Sequence, residues 1–424
     1  MTQSFTKTNT TSAALPETPA APAITRWMTV LLATACGLIA ANLYYAQPLV
    51  GPISTALGLS PHAAGLIVTM TQIGYGLGLL LIVPLADSFE NRRLVLIVTS
   101  LVVPALLAAA LVTHPLPFLG AALFIGIGSV AVQILVPYAA HLAPEATRGR
   151  VVGDVMSGLM LGIMLARPLA SSIAAASSWH MVFFASAAVM VVLAAVLART
   201  LPDRTPPVRL RYRDTLASMA RLARHPVLRR RALYQAAMFG AFSLFWTTVP
   251  LWLASPAFGL SQAGIALFAL AGASGAVAAP IAGRVADRGW SGWATTLAML
   301  SVAGAFLLTR TAHPGSPFAL ALLVIAAIVL DFGVQANLVF GQRAIFSLGA
   351  ELRGRLNGLY MATFFAAGAI GSALGAWAYA HGGWPLAAWI GLALPVAALL
   401  YHATDRPRDP AAVNAHALGT PPAP

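Results

Sequence analysis

Charged residues are scarce in this sequence. Asp, Glu, Lys and Arg make up 9% of its 424 residues, hydrophobic residues make up 59%, and the mean hydropathy is +0.80. A soluble domain carries about a quarter charged residues, so this composition excludes a soluble protein. The single cysteine, Cys36, excludes an intramolecular disulfide. No Gly-x-x-x-x-Gly-Lys-[Ser/Thr] segment occurs, which excludes ATP as the energy source. We expect neither a cofactor nor a bound metal, and no enzyme activity.

Long apolar stretches take up most of the chain. Each is long enough to cross about 30 Å of hydrocarbon as a helix. The predicted spans are 27–50, 62–85, 93–112, 117–141, 151–174, 180–200, 232–253, 262–283, 293–311, 317–342, 357–380 and 384–402. The sequence therefore predicts an all-α membrane protein with twelve transmembrane helices in two pseudo-symmetric six-helix bundles.

The positive charge is distributed by side of the membrane. The net charge is +13, yet every Lys and Arg except Arg167 and Arg310 falls on one side of the predicted spans. Positively charged loops stay in the cytoplasm, so the pattern predicts a multi-pass protein of the bacterial inner membrane with both termini cytoplasmic. This explanation leaves no need for a nucleic-acid partner. The expected partners are the lipid bilayer, a small-molecule solute and protons. We expect the protein to be a monomer.

The two halves repeat at an offset of about 200 residues, as sequence duplication produces. Matching segments include Gly58-Leu59-Ser60 and Gly259-Leu260-Ser261, and also Val132-Gln133 and Val334-Gln335. The predicted organisation is a disordered tail (1–25), a first bundle (26–201), an Arg-rich cytoplasmic linker (202–231), a second bundle (232–403) and a disordered cytoplasmic tail (404–424).

Glycine divides the spans into three sets. Spans 2, 5, 8 and 11 are rich in glycine, which lets helix backbones approach closely, and we expect intimate helix contacts there. Spans 3, 6, 9 and 12 contain almost none and are expected to face lipid. Spans 1, 4, 7 and 10 carry most of the polar residues and are expected to line a central cavity.

The loops after spans 2 and 8 contain related motifs. One reads Pro84-Leu85-Ala86-Asp87 followed by Arg92-Arg93, and the other reads Gly283-Arg284-Val285-Ala286-Asp287-Arg288. At these residues the chain resembles the major facilitator superfamily, although Val83 stands where the first copy of the family motif has glycine. Residues 42–48 (Asn-Leu-Tyr-Tyr-Ala-Gln-Pro) are similar to a bacterial subgroup of that family that resembles drug and solute:proton antiporters.

The same loops predict a cytoplasmic gate. An Asp at the end of one helix can stabilise the positive N-terminus of a helix in the other half. We expect Asp87 to meet the start of span 11 and Asp287 the start of span 5, within a charge network that breaks when the halves separate. Topological anchoring alone is the alternative. The predicted gate residues are Asp87, Arg92, Arg93, Glu145, Arg148, Arg150, Asp287, Arg288, Glu351, Arg353 and Arg355.

Asp331 is the candidate proton-coupling residue. It lies about fourteen residues into span 10, hence about 21 Å deep at 1.5 Å per residue. A carboxylate at that depth is costly unless paired or hydrated, so it either titrates in the cavity or is a neutral, hydrogen-bonded acid that holds helices together.

The candidate substrate cavity combines aromatic rings with a few amides, which suits uncharged or amphipathic solutes. Its predicted residues are Asn42, Tyr45, Gln133, Phe239, Phe242, Trp246, Gln335 and Arg167. Arg167 either lines the cavity or extends to the outer rim. Its expected depth differs from that of Asp331 by about 10 Å, which argues against a direct pair.

These features predict a secondary active transporter that works by alternating access. The resemblance implies proton-coupled efflux of small organic solutes. Two alternatives stay open: proton-linked uptake of a sugar or organic acid, and a membrane receptor or sensor that transports nothing. Solute flux in proteoliposomes distinguishes the sensor from the carriers.

Overall fold

The computed structural model describes residues 24–145, 147–205 and 211–405. Most of each predicted terminal tail lies outside these residues, and so does part of the predicted linker. Nine described helices are long and apolar enough to cross a membrane. The last of them, Arg353–Ala403, contains two spans, because Gly382 and Gly383 leave the helical conformation. Two shorter apolar helices, Arg26–Ala41 and Gln262–Gly272, complete twelve helical segments in the described chain.

The first six spans run from residue 26 to residue 200. Span 1 is Arg26–Ala41, continued by the short helices Gln47–Leu49 and Val50–Ala56. Span 2 is Leu66–Leu81 with short helices Pro61–Ala63 before it and Val83–Asp87 after it. Span 3 is Asn91–Leu111, span 4 is Pro115–Ser129 with Ala131–Leu142, span 5 is Arg148–Ala176, and span 6 is Trp179–Thr200.

A linker helix, Tyr212–Leu222, joins the two groups of spans. Span 7 is Pro226–Ala254, and span 8 is Gln262–Ala269, Leu270–Ala273 and Ser274–Asp287 in succession. Span 9 is Ser291–Leu308 and span 10 is Pro317–Phe346. A short helix, Ala350–Leu352, precedes spans 11 and 12. We call the end of the bundle that carries the linker helix the linker side, and the opposite end the far side.

Local sequence explains several of these boundaries. Proline begins spans 4, 7 and 10, where its missing N–H costs nothing. Before span 10, the Ser316 hydroxyl accepts a hydrogen bond from the Ala319 N–H at 3.1 Å, which satisfies one free donor of the first turn. Between spans 11 and 12, Gly383 has a φ of 60°, a conformation that favours glycine.

Glycines hold three pairs of spans in close contact. Gly162 of span 5 lies against the carbonyl of Gly37 in span 1, and Gly371 of span 11 lies against the carbonyl of Gly240 in span 7. Gly74 of span 2 touches the carbonyl of Leu123 in span 4. These backbones approach so closely that a Cβ at any of the three glycines would overlap with a carbonyl oxygen.

Large apolar side chains of spans 3, 6, 9 and 12 point outward. Ile97, Val192, Leu297 and Leu400 are all more than half exposed, as lipid-facing side chains are. The predicted all-α fold with twelve membrane segments is confirmed.

Candidate functional site

A cavity lies between the two groups of six spans. Its volume of about 40 Å³ admits a small number of water molecules but is too small for an organic solute, so solute binding requires its walls to move. The lining residues are Tyr44, Met160, Ile163, Met164, Arg167, Phe239, Phe242, Gly272, Asp331, Val334, Gln335 and Phe364. Spans 5, 8 and 11, for which helix contacts were expected, therefore contribute lining residues beside spans 1, 7 and 10. Span 4, expected to line the cavity, contributes none of these residues.

Asp331 lies in the middle of span 10 and faces this cavity. Only 3% of the residue is exposed. Its Oδ1 accepts a hydrogen bond from the indole N–H of Trp246 in span 7 at 2.8 Å. The acid is thus held by a partner from a neighbouring span, and its other carboxylate oxygen borders Gly272.

Arg167 faces the same cavity from span 5 and is not extended to the rim. It is 2% exposed, and its Nε donates to Oε1 of the buried Gln47 at 2.7 Å. Its guanidinium carbon lies 4.3 Å from the centre of the Trp246 ring and 5.1 Å from those of Tyr44 and Phe242. Such contacts stabilise a buried cation through the quadrupoles of the rings.

Arg167 and Asp331 come together beside Gly272 of span 8. A Cβ built on Gly272 would lie 3.1 Å from Arg167 Nη1 and 3.1 Å from Asp331 Oδ2, so these two atoms are separated by no more than twice that distance. The difference of about 10 Å expected from the sequence refers to the depths of the two Cα atoms, not to the ends of the side chains. Side chains lean toward the N-terminus of their helix, and spans 5 and 10 run in opposite directions, so the two side chains lean toward each other.

Trp246 connects the two charged residues. Its indole N–H donates a hydrogen bond to the Asp331 carboxylate, and the Arg167 guanidinium lies over its ring. Arg167, Asp331, Trp246, Gln47 and Gly272 are called the central cluster below. Gln47 lies within the motif at 42–48 and Gly272 within the glycine pattern, but neither was predicted as a site residue, because only the fold brings Gln47 to Arg167 and Gly272 to the cavity.

An aromatic wall continues the cavity toward span 11. The rings of Phe239 and Phe364 are stacked with centroids 3.5 Å apart, and those of Phe239 and Phe242 are 5.1 Å apart. Phe239 and Phe242 line the cavity, and the Trp246 ring lies against Arg167. Phe364 was not predicted, since span 11 was assigned to helix contacts.

Asn42 and Tyr45 do not line this cavity, in contrast to the prediction. Asn42 is 2% exposed, and its Oδ1 accepts from the Ser186 hydroxyl of span 6 at 2.6 Å. Tyr45 also interacts with Ser186. The α-helix of span 1 ends at Ala41 and the next residues form turns. This change of helical phase brings Tyr44 to the cavity instead.

Gln335 lines the cavity as predicted, but Gln133 belongs to an amide chain on its linker side. The Gln342 amide donates to Asn357 Oδ1 at 3.0 Å, and Asn357 donates to Gln133 Oε1 at 3.4 Å. Gln133 in turn donates to the Tyr75 hydroxyl at 2.9 Å. The chain joins spans 10 and 11 to spans 4 and 2, and so connects the two halves.

The predicted gate residues of the first half interact mainly within that half. Glu90 accepts hydrogen bonds from the backbone N–H groups of Arg92 and Arg93 at 2.7 and 2.9 Å, which caps span 3. Arg92 pairs with Asp203 at 2.6 Å. Arg148 donates to the Ala140 carbonyl at 3.0 Å. Glu145 and Arg150 are exposed.

In the second half, Asp287 pairs with Arg343 of span 10 and not with the start of span 5, as had been expected. Arg343 lies near the end of span 10, which packs against span 8, and this packing places its side chain beside Asp287. Arg288 lies 5.8 Å from the centre of the Trp290 ring, and Arg353 donates to the Phe346 carbonyl at 3.4 Å. Glu351 is exposed beside Gly349.

Arg355 and the linker helix connect the halves on the linker side. Arg355, near the start of span 11, and Arg204, before the linker helix, are the positive charges that act on Asp87, and a direct contact of Asp87 with the start of span 11 stays a prediction. Arg355 also donates to the Ser218 hydroxyl at 2.9 Å, and the Tyr212 hydroxyl donates to the Leu81 carbonyl of span 2 at 2.9 Å. The linker helix therefore touches spans 2 and 11, which sequence reasoning did not foresee.

Substituting Asp87 with alanine is expected to slow solute turnover by about two- to fivefold, because a charge interaction between partly exposed groups contributes up to about 1 kcal/mol to the state closed on the linker side. Solute affinity should stay the same, since Asp87 lies outside the cavity lining. Initial rates and apparent affinities in proteoliposomes test this. Asp214→Ala, an exposed acid of the linker helix, is the control. A large change of affinity in Asp87→Ala would contradict the gating role.

Two groups of six membrane helices around a shared polar cavity define a polytopic membrane transporter. The family model of the Major Facilitator Superfamily matches residues 30–342, and the chain belongs to this superfamily.

Individual relatives agree with this assignment. The chain is 39% identical over 357 residues to an "Uncharacterized transporter YgaY" of Escherichia coli O157:H7, covering 84% of this chain and 89% of the relative. It is 32% identical over 363 residues to a "Probable transporter SCO4007" of Streptomyces coelicolor, covering 84% and 82%. The crystal structure of a point mutant of the nucleoside transporter NupG has a TM-score of 0.70, 15% identity, and coverage of 88% and 99%. That structure supports the fold alone.

Proposed function

We propose that this chain is a proton-coupled secondary active carrier of small organic solutes, with Asp331 as the proton-binding group. The supporting observation is the central cluster: a buried acid from the second half and a buried arginine from the first half border one glycine in the same cavity. Ionisable groups inside a membrane protein are costly and mark ion or substrate pathways.

The position of this cluster supports alternating access. It sits between the two halves, with the amide chain and the linker-helix contacts on its linker side. Rocking of one half against the other would expose the cavity to one side at a time. We further propose a monomer in a bacterial inner membrane with the linker side cytoplasmic, because the Arg-rich loops stay on that side.

The direction of transport has two candidates. Efflux is the direction that the family resemblance implies. Uptake of an organic acid is favoured by a specific observation, the buried cation Arg167 in the cavity wall. Neither candidate requires a different proton site.

We expect Asp331→Asn to abolish solute accumulation driven by a pH gradient while solute exchange across the membrane continues. Asparagine cannot titrate but can still accept the Trp246 hydrogen bond through its carbonyl oxygen. The measurement uses proteoliposomes and a panel of radiolabelled organic acids, sugars and amines, first with an imposed pH gradient and then as exchange without a gradient.

Asp154→Asn is the matched control, since Asp154 is another acid within a membrane helix but is exposed and lies outside the cavity lining. Proteoliposomes with Asp154→Asn should accumulate as much solute as those with the unmodified protein. Unchanged proton-driven accumulation in Asp331→Asn would refute the proton-site assignment. Binding of a panel solute without any flux would instead favour a membrane sensor.

A further inference from the structure

Two buried hydrogen-bond donors of the central cluster have no partner among the described protein atoms. They are Nη2 of Arg167 and Nε2 of Gln47. The residues are 2% and 0% exposed and are joined through the Arg167 Nε–Gln47 Oε1 hydrogen bond. A buried donor without an acceptor costs about 1–3 kcal/mol. Because both free groups are donors and one is cationic, the group that satisfies them must be an acceptor, and an anionic one fits best.

The net charge of the cluster points the same way. The charged or titratable side chains that act on Asp331 are Arg167 from span 5 and Tyr44 from span 1. Span 7 supplies the neutral indole N–H of Trp246, and span 8 supplies Gly272, within the part of span 8 whose side chains are described. With Asp331 ionised, the two opposite charges cancel.

Protonation of Asp331 leaves the Arg167 cation uncompensated in a site that excludes most water. An isolated buried charge is strongly unfavourable. An anion that enters with the proton restores neutrality, whereas a cation added to the ionised pair leaves a net positive charge. Proton binding at Asp331 should therefore raise the affinity for the anion, and anion binding should raise the affinity for the proton by the same factor.

The rest of the lining selects an apolar body. Phe239, Phe242 and Phe364 form an aromatic wall, and Met160 and Met164 of span 5 also line the cavity. Methionine side chains adapt to differently shaped apolar groups. A small inorganic anion would accept hydrogen bonds from the two donors but would make no contact with these apolar side chains.

Resting on the proposed carrier function, we propose that the solute is a small amphipathic organic acid, bound as its carboxylate to Arg167 and Gln47, and that it moves in the same direction as a proton held by Asp331. No covalent bond changes: one proton and one carboxylate enter together, and the bound site keeps the net charge of the empty one.

Equilibrium binding to the purified full-length protein in detergent tests this proposal. The probes are 3-phenylpropionate, 3-phenylpropanamide and 3-phenylpropylamine, which share one apolar body and differ in charge. Isothermal titration between pH 6 and pH 9 keeps the acid ionised, since carboxyl groups titrate near pH 4. Only the carboxylate should bind. Its affinity should fall as pH rises, by up to about tenfold per pH unit, because one proton binds with it.

Variants separate the two partners. Arg167→Gln should weaken carboxylate binding about thirtyfold or more, as loss of a buried charged partner does. Arg167→Lys keeps the charge but loses the planar fork, and it should bind more weakly than the unmodified protein and more tightly than Arg167→Gln. Asp331→Asn should bind the carboxylate with an affinity independent of pH. Arg310→Gln, at an exposed arginine, is the control with unmodified affinity and pH dependence.

Preferential binding of the amine or the amide, or a carboxylate affinity independent of pH in the unmodified protein, would overturn the proposal. So would an absence of binding by all three probes at millimolar concentration. Failure of the carrier function looks different: binding would follow the expected pattern, but a pH gradient would drive no accumulation of 3-phenylpropionate in proteoliposomes.

Discussion

Replacing Gly162 with valine is expected to destabilise the folded protein by about 3 kcal/mol or more, the upper range for overpacking a close contact. Gly162 lies directly against the backbone of Gly37, and Gly158, one turn earlier, lies against Ala33. The obstacle is backbone, which cannot rotate away as a side chain can, so spans 1 and 5 would have to separate. Span 5 carries Arg167 and span 1 leads to Gln47, so the central cluster would be lost with this contact.

Thermal unfolding in detergent and the monodisperse fraction in size-exclusion chromatography measure this effect. Gly120→Val is the matched control, because Gly120 lies in a span of the same half and a Cβ there would meet nothing within 4 Å. Its melting temperature should stay close to that of the unmodified protein. Equal melting temperatures for Gly162→Val and Gly120→Val would contradict the close contact between spans 1 and 5.

Replacing Gly272 with valine should slow transport by about 100-fold while the protein still folds. A Cβ at this position would lie 3.1 Å from each of three atoms, Arg167 Nη1, Asp331 Oδ2 and Trp246 Cζ2. Two further methyl groups would occupy the space between the charged side chains and shift both. In enzymes, displacing reacting groups by about 1 Å can cost about 100-fold in rate, and we expect a loss of that order in the rate of solute transport.

Transport in proteoliposomes and thermal unfolding are measured together for this variant. Gly304→Val in span 9 is its control, since a Cβ there would meet no atom within 4 Å, and both its transport and its stability should be preserved. A transport rate for Gly272→Val within a few-fold of the control would show that the space beside Gly272 is not needed.

The sequence predicted several span boundaries closely because these boundaries depend on local chemistry. Span 6 was expected at 180–200 and is Trp179–Thr200, and span 10 was expected to begin at residue 317, where Pro317 follows the capping Ser316. The break between spans 11 and 12 was expected just before residue 384 and occurs at Gly382 and Gly383. Apolar length, proline and glycine act within a few residues of themselves, so a single sequence contains this information.

Contacts between distant residues were harder to predict. Tyr45 was predicted to line the cavity on the assumption of one span through residue 50, whereas the helix ends at Ala41 and Tyr44 lines the cavity. Asp287 was expected to meet the start of span 5, and its ion pair is with Arg343 of span 10. Which side chain faces the cavity and which cation pairs with Asp287 both depend on helix phase and tilt. Hydropathy carries no information about either.

By itself, the sequence determined that this protein is a bundle of long apolar helices with one acid deep in span 10, whereas its orientation in the membrane stays a prediction from the placement of its arginines. Burial in lipid makes apolar length and charge placement decisive, and both can be read residue by residue. Only the tertiary structure decided that Arg167 and Asp331 share one cavity beside Gly272. Their meeting depends on antiparallel spans whose side chains lean toward each other and on a glycine that leaves room between them, and these relations exist only when the helices are packed.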